Sequence, residues 1–170
     1  FVVTNPSSGE VLVSHQCLEP IARFFKEGCI DYLQHEGCFF EVGQRTQALL
    51  GAFEVSATGD LANWTTGDPK FPPGVGGAMD LAAGARAVWA LTQHTTKSGA
   101  PKIVEKCSYP LTSAGAVTKI FTDLAVIDVT PAGLVVREMV AGLSLADLQS
   151  VTEPKLTLAD DWQALAPPAL

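Results

Sequence analysis

Two short stretches carry groups that could do chemistry if the fold brings them to a ligand. Gly74-Val75-Gly76-Gly77-Ala78 precedes an alanine-rich run. Its backbone N–H groups would gather at the amino end of a helix, where they suit a phosphate, a carboxylate or a tetrahedral oxyanion. Leu33-Gln34-His35-Glu36-Gly37 follows a run that reads as a strand, so the Glu36 carboxylate would be delivered to a strand end. Taken alone, each stretch has an ordinary explanation: a tight glycine turn and a solvated turn acid. Asn63 and Trp64 likewise read as a turn asparagine and a half-buried tryptophan.

Other chemistries find little support. No Gly-x-Ser-x-Gly elbow is present, and no Ser, His, Asp arrangement stands out. His94, in Gln93-His94-Thr95-Thr96-Lys97, reads as a structural side chain, because nothing in the spacing supplies a carboxylate or serine partner. The four cysteines, Cys17, Cys29, Cys38 and Cys107, form no Cys-x-x-Cys pair and have no histidine at metal-ligand spacing, which argues against zinc and redox motifs. They are expected as free thiols, and Cys107 lacks the neighbouring histidine or helix end that would activate it. No metal is expected.

A formal charge of −7 with scattered basic residues argues against nucleic acid or an anionic membrane as partner. It leaves room for an anionic ligand held by local dipoles. No apolar run approaches the roughly 20 residues that span a bilayer, and no basic segment precedes an apolar signal core, so a cytoplasmic chain is expected.

The elements that must position these groups follow from periodicity. Val11-Leu12-Val13 reads as a strand, Glu19 to Lys26 as a helix and Cys29 to Gln34 as a second strand. Leu49 to Val55 reads as one buried strand closed by the Ala57-Thr58-Gly59-Asp60 turn. Thr66 to Gly77, rich in Gly and Pro, reads as irregular, and Ala78 to Val88 as a helix, followed by a core strand from Val88 to Leu91. Ile103-Val104 is a further strand. Ala125 to Val129 and Leu134 to Met139, joined by Pro131-Ala132-Gly133, predict a hairpin. Ser144 with Asp147 predicts a capped helix through Ser150, and the tail from Asp160 is expected to be loosely held. With 170 residues, 47% of them hydrophobic, the chain suits one domain. The order of elements predicts an α/β domain with a mixed, largely parallel sheet and flanking helices, its ligands at the carboxyl ends of the strands.

Three segments in order carry a resemblance. Gly59-Asp60-Leu61-Ala62-Asn63-Trp64, Gly76-Gly77-Ala78-Met79-Asp80-Leu81 and Lys106-Cys107-Ser108-Tyr109-Pro110-Leu111-Thr112 resemble the β chain of the 3-oxoacid coenzyme A transferases, from Leu49 to about Thr152. The resemblance implies a coenzyme A transferase-like fold and transfer of CoA between a carboxylic acyl-CoA and a 3-oxoacid. It also implies CoA as a substrate and an α-type subunit completing a hetero-oligomer. By the same resemblance Glu36 is the nucleophile that becomes a glutamyl-CoA thioester, while Asn63, Gly74, Gly76, Gly77 and Ala78 line the acyl-CoA cleft. His94 and Lys97 recur in the family at the end of a core strand. The Cys107 to Thr112 segment is expected to serve packing or a subunit interface.

The amino-terminal third departs from the pattern. The family's Ser-Glu-Asn-Gly is replaced around Glu36 by His35, Gly37 and Cys38, and its Gly-x-Gly-x-Pro loop by Val13-Ser14-His15-Gln16-Cys17. Several dozen residues that the family carries are missing between Gly43 and Gln44. The alternative expectation is therefore a diverged acyl-CoA hydrolase or lyase on the same fold, or a non-catalytic partner subunit.

Overall fold

The computed structural model describes residues 2–4, 11–13, 41–42, 45–70, 73–74 and 76–165, with the backbone alone for those up to 46. In chain order the strands are β1 (Val2–Thr4), β2 (Val11–Val13), β3 (Glu41–Val42), β4 (Arg45–Gly51), β5 (Glu54–Ser56) and β6 (Leu61–Ala62). Helix α1 (Ala78–Gly84) and strands β7 (Ala87–Leu91), β8 (Ile103–Val104), β9 (Val117–Phe121), β10 (Ala125–Thr130) and β11 (Gly133–Val140) follow, then helix α2 (Leu145–Ser150) and strand β12 (Leu156–Leu165).

Seven strands form the main sheet in the order β12-β11-β10-β9-β7-β4-β3. β4, β7 and β9 pair in parallel, as do β11 and β12, while β10 and β3 run against their neighbours. The sheet is mixed and largely parallel, as expected. A three-stranded sheet, β6-β5-β8, and the β1-β2 pair complete the strands.

Burial alternates along β7, with Val88 and Ala90 facing inward, and along the first half of β11 through Leu134 and Val136. These side chains meet Ala48, Leu50, Ile120, Ile127, Met139 and Leu148 in the core. Small residues on β4 and α1 let the helix approach: Ala48 and Ala82 are both buried, and α1 packs on β4. The β10–β11 hairpin forms as predicted. Its turn is tied by the Thr130 hydroxyl, which donates to the Gly133 carbonyl at 2.7 Å. The Ser144 capping box forms too, its hydroxyl accepting from Asp147 N at 3.1 Å, an arrangement that stabilises a short helix by about 1 kcal/mol.

Four expectations are corrected. The apolar run Leu49–Val55 is two strands in two sheets, because Ala52 and Phe53 form a corner: Phe53 N donates to Ala62 O at 2.9 Å and turns the chain towards β6. The helix expected to reach Val88 stops at Gly84, where Ala85 adopts extended angles and Ala87 onwards pairs with β4. Sheet pairing outweighs alanine's helix propensity there. β9 was not foreseen, since Thr118 and Lys119 interrupt its apolar pattern. Finally, Asp160–Leu165 continues β12 along β11, and residues 166–170 lie outside the described part. The pairing jumps from Val136↔Leu158 to Glu138↔Gln163, and this bulge brings Asp161 to Arg137 Nη1 at 2.8 Å.

β2 is a strand as expected, paired with β1. The helix expected over Glu19–Lys26, the strand over Cys29–Gln34, and Glu36 itself fall outside the described residues.

Candidate functional site

The parallel register puts Gly51, Leu91 and Phe121 side by side, so the residues after them crowd one edge of the sheet. This is the carboxyl edge of β4, β7 and β9, the place where open α/β sheets bind ligands. Thr92 stitches it together. Its N–H donates to Phe121 O at 3.0 Å, its hydroxyl donates to Ala52 O at 2.8 Å, and Lys102 Nζ donates to that hydroxyl at 3.0 Å. Burial lowers the Lys102 pKa from its usual value, with the Asp123 carboxylate opposing the change.

Asn63 reaches the same edge from β6. Its Nδ2 donates to Gly51 O at 2.9 Å, and its Oδ1 accepts from the Thr112 hydroxyl at 2.6 Å. Trp64 is half-buried, as expected, and its indole N–H donates to Leu111 O at 3.2 Å. From there the chain returns in the glycine loop, where Gly74 N donates to Trp64 O at 2.8 Å. Asn63 and Gly74 are thus brought together, and Gly76, Gly77 and Ala78 lead from them into α1.

Gly74, Gly76 and Gly77 are exposed, and none has a positive φ. Left-handed backbone is therefore not what glycine provides in this loop. A Cβ built at Gly76 or Gly77 meets nothing within 4 Å, so what glycine supplies there is open space above the backbone amides. With seven residues and Asp80 in its first turn, α1 offers an anion little dipole. Any anion at this loop depends on individual N–H groups.

His94 behaves as a structural residue. It is fully buried, its backbone N–H donates to Asp123 Oδ1 at 2.7 Å, and its ring nitrogens lie 3.0 Å from Thr122 Oγ1 and 2.8 Å from Thr152 Oγ1. The Thr152 hydroxyl also donates to Leu148 O at 2.7 Å and the Thr122 hydroxyl to Ala125 O at 3.1 Å, so both threonines that flank the ring are tied to the backbone. Burial, the largest influence, lowers the His94 pKa below the ordinary 6.5, with Asp123 opposing. The unfolded chain therefore binds a proton at a higher pH than the folded one. Stability is full above about 6.5 and is lost as pH falls towards the folded value. Urea denaturation at stepped pH is expected to show this decline, and His94→Gln to flatten it; an unchanged slope would remove His94 from the account. Lys97 is exposed.

Glu54 was not singled out from the sequence. It is buried and accepts from Ser108 N at 2.6 Å, Ser108 Oγ at 2.7 Å and Tyr109 N at 3.4 Å, which anchors the Cys107 to Thr112 segment against β5. The segment is thus tied to β5, in keeping with packing, one of the two roles expected of it. Cys107 is a free thiol that burial first, then the Glu54 and Asp60 carboxylates, push up to about 11, so it is no nucleophile at neutral pH. Among the described residues no group of three or more His, Cys, Asp or Glu could hold a metal ion, and no helix is long and apolar enough to cross a membrane.

Residues 38–147 match the family model described as Coenzyme A transferase. The chain belongs to the coenzyme A transferase family. It is 50% identical over 125 residues to the B subunit of the 3-oxoadipate CoA-transferase of Acinetobacter baylyi, covering 68% of this chain and 58% of that one. The Pseudomonas putida protein of the same name is 53% identical over 105 residues, covering 62% and 49%. The B subunit of the succinyl-CoA:3-ketoacid coenzyme A transferase of Helicobacter pylori is 42% identical over 106 residues, covering 62% and 51%. The chain spans about half the length of these curated relatives. Among solved structures, the acyl-CoA transferase YdiF of Escherichia coli O157:H7 superposes with a TM-score of 0.60 at 17% identity, covering 71% of this chain and 27% of that one. A variant of the decarboxylase AibA/AibB gives 0.58 at 21%, covering 72% and 52%. At these identities the structures share the fold, which carries more than one chemistry.

Proposed function

We propose that this coenzyme A transferase family chain is a B-type subunit that moves CoA between a dicarboxylic acyl-CoA and a 3-oxoacid. The carrying observation is the family match over residues 38–147, together with relatives named as B subunits of two transferases with different acids. An α-type partner completes the cleft, and the complex works in the cytoplasm. The edge geometry supports the reading, since Asn63 donates to Gly51 O at the carboxyl end of β4 and Trp64 O holds Gly74, from which the exposed Gly76 and Gly77 lead through Ala78 into α1.

In this mechanism the Glu36 carboxylate attacks the thioester carbonyl and the C–S bond breaks, giving a mixed anhydride and CoA thiolate. The thiolate then attacks the glutamyl carbonyl and releases the first acid as its carboxylate. A second carboxylate reverses both steps and leaves as acyl-CoA. No net proton is transferred, and each carbonyl stays activated. The loop N–H groups oppose the oxyanion that forms at each attack. Water must be excluded, because hydrolysis of the thioester would turn transfer into loss.

A second reading is a chain that shapes the cleft without supplying the nucleophile. One observation favours it: the family match begins at Cys38, two residues beyond Glu36. The test is to co-purify the chain with its partner and follow CoA exchange between succinyl-CoA and a 3-oxoacid. Exchange supports the transferase reading, and an assembled complex that exchanges nothing sinks it. Exchange that survives Glu36→Ala selects the second reading.

A further inference from the structure

The glycine loop is exposed and short of side chains, so something outside it must set its position. Gly74 N–H rests on Trp64 O, which makes the loop's placement depend on the Asn63-Trp64 backbone. That backbone is gripped from the far side of the sequence by Leu111 and Thr112. Thr112 Oγ1 accepts from Asn63 N at 3.0 Å and donates its single proton to Asn63 Oδ1 at 2.6 Å. With Oδ1 held there, Nδ2 is left facing Gly51 O. Leu111 O takes the Trp64 indole N–H. The strap itself is fixed, for Thr112 N donates to Leu61 O at 2.7 Å and Glu54 holds Ser108.

We propose that Thr112 is a positioning residue: by locking the Asn63 amide between itself and the end of β4, it holds Trp64 O where the glycine loop hangs, and so sets the loop's distance from the reacting carbonyl. This rests on the reading that the loop meets an acyl-CoA. Thr112 touches no substrate in it. Asn63, assigned to the ligand by resemblance, has its amide oxygen and one amide proton committed within the chain, and acts through the same link.

The link predicts a local lesion. Thr112→Val keeps the side-chain shape while leaving Asn63 N and Oδ1 without their partner. In the assembled protein, hydrogen exchange is expected to accelerate in peptides spanning Gly74 to Leu81, while those spanning β7 and β9 keep wild-type protection. In CoA exchange, kcat should fall by up to about 100-fold, the scale set by an ångström of misplacement, with KM little changed. Thr112→Ser should restore both. Wild-type exchange around Gly74, or an even loss of protection through β7 and β9, overturns the proposal. If the wild-type complex transfers no CoA, the functional reading falls, and the hydrogen-exchange comparison still decides the positioning role.

Discussion

Gly59→Ala is expected to lower the unfolding free energy by about 2–5 kcal/mol, from left-handed strain plus overpacking. Gly59 has φ +83°, and a Cβ there would lie 2.5 Å from the Val117 carbonyl oxygen and 3.3 Å from Val129 Cγ1. The nearest obstacle is backbone. It cannot rotate away as a side-chain tip would, and it belongs to β9, whose Val117 N donates to Gly59 O at 2.9 Å. The turn cannot yield either. Ser56 Oγ donates to Asp60 Oδ2 at 2.9 Å, Asp60 N donates back to Ser56 Oγ at 3.0 Å, and Gly115 N donates to Asp60 Oδ1 at 2.9 Å. Gly142→Ala is the control. Its φ is +89° with nothing within 4 Å of the added Cβ, so it should cost only the strain, about 1–2 kcal/mol. Urea denaturation of the two variants checks the difference. Equal losses would mean that the approach of the Gly59 turn to β9 is not as described.

Glu36→Gln is expected to abolish CoA transfer while leaving assembly with the partner intact. The amide keeps the side chain's shape but is no nucleophile towards a thioester, and loss of a covalent nucleophile commonly costs on the order of 10⁴-fold or more in kcat. Denaturation is the control: stability within about 0.5 kcal/mol of wild type would assign the loss to chemistry and not to folding. Exchange assays across a range of acyl-CoA concentrations separate the cases. A pure rise in KM would mean that Glu36 binds substrate and does not react.

The central fold was legible where pattern and pairing agree. The β10–β11 hairpin and the Ser144 cap are decided within a dozen residues, by turn chemistry and a hydroxyl three positions from its N–H. The Leu49–Val55 run misled because an apolar stretch looks the same whether it stays in one sheet or turns at Phe53 into another. Helix α1 was overextended because alanine content says nothing of the β4 edge waiting for Ala87–Leu91.

At the site, the motifs around Asn63 and Gly76 were visible as strings of residues, and the structure brings Asn63, Trp64 and Gly74 together. What the Asn63 side chain does was not visible. Its partners, Gly51 and Thr112, lie 12 and 49 residues away, and nothing local points to either. Glu54, Thr92 and Lys102 escaped notice for the same reason: each takes its meaning from a contact made only after the sheets form.

The measurement that bears most directly on the account is borohydride trapping. The assembled protein is incubated with acyl-CoA alone, treated with borohydride and mapped peptide by peptide. A glutamyl-CoA thioester is reduced to an alcohol, so the account predicts that Glu36 is converted and that omitting acyl-CoA leaves it intact. Active complex in which Glu36 stays a carboxylate while the reduced residue appears on another carboxylate, in this chain or its partner, would contradict it.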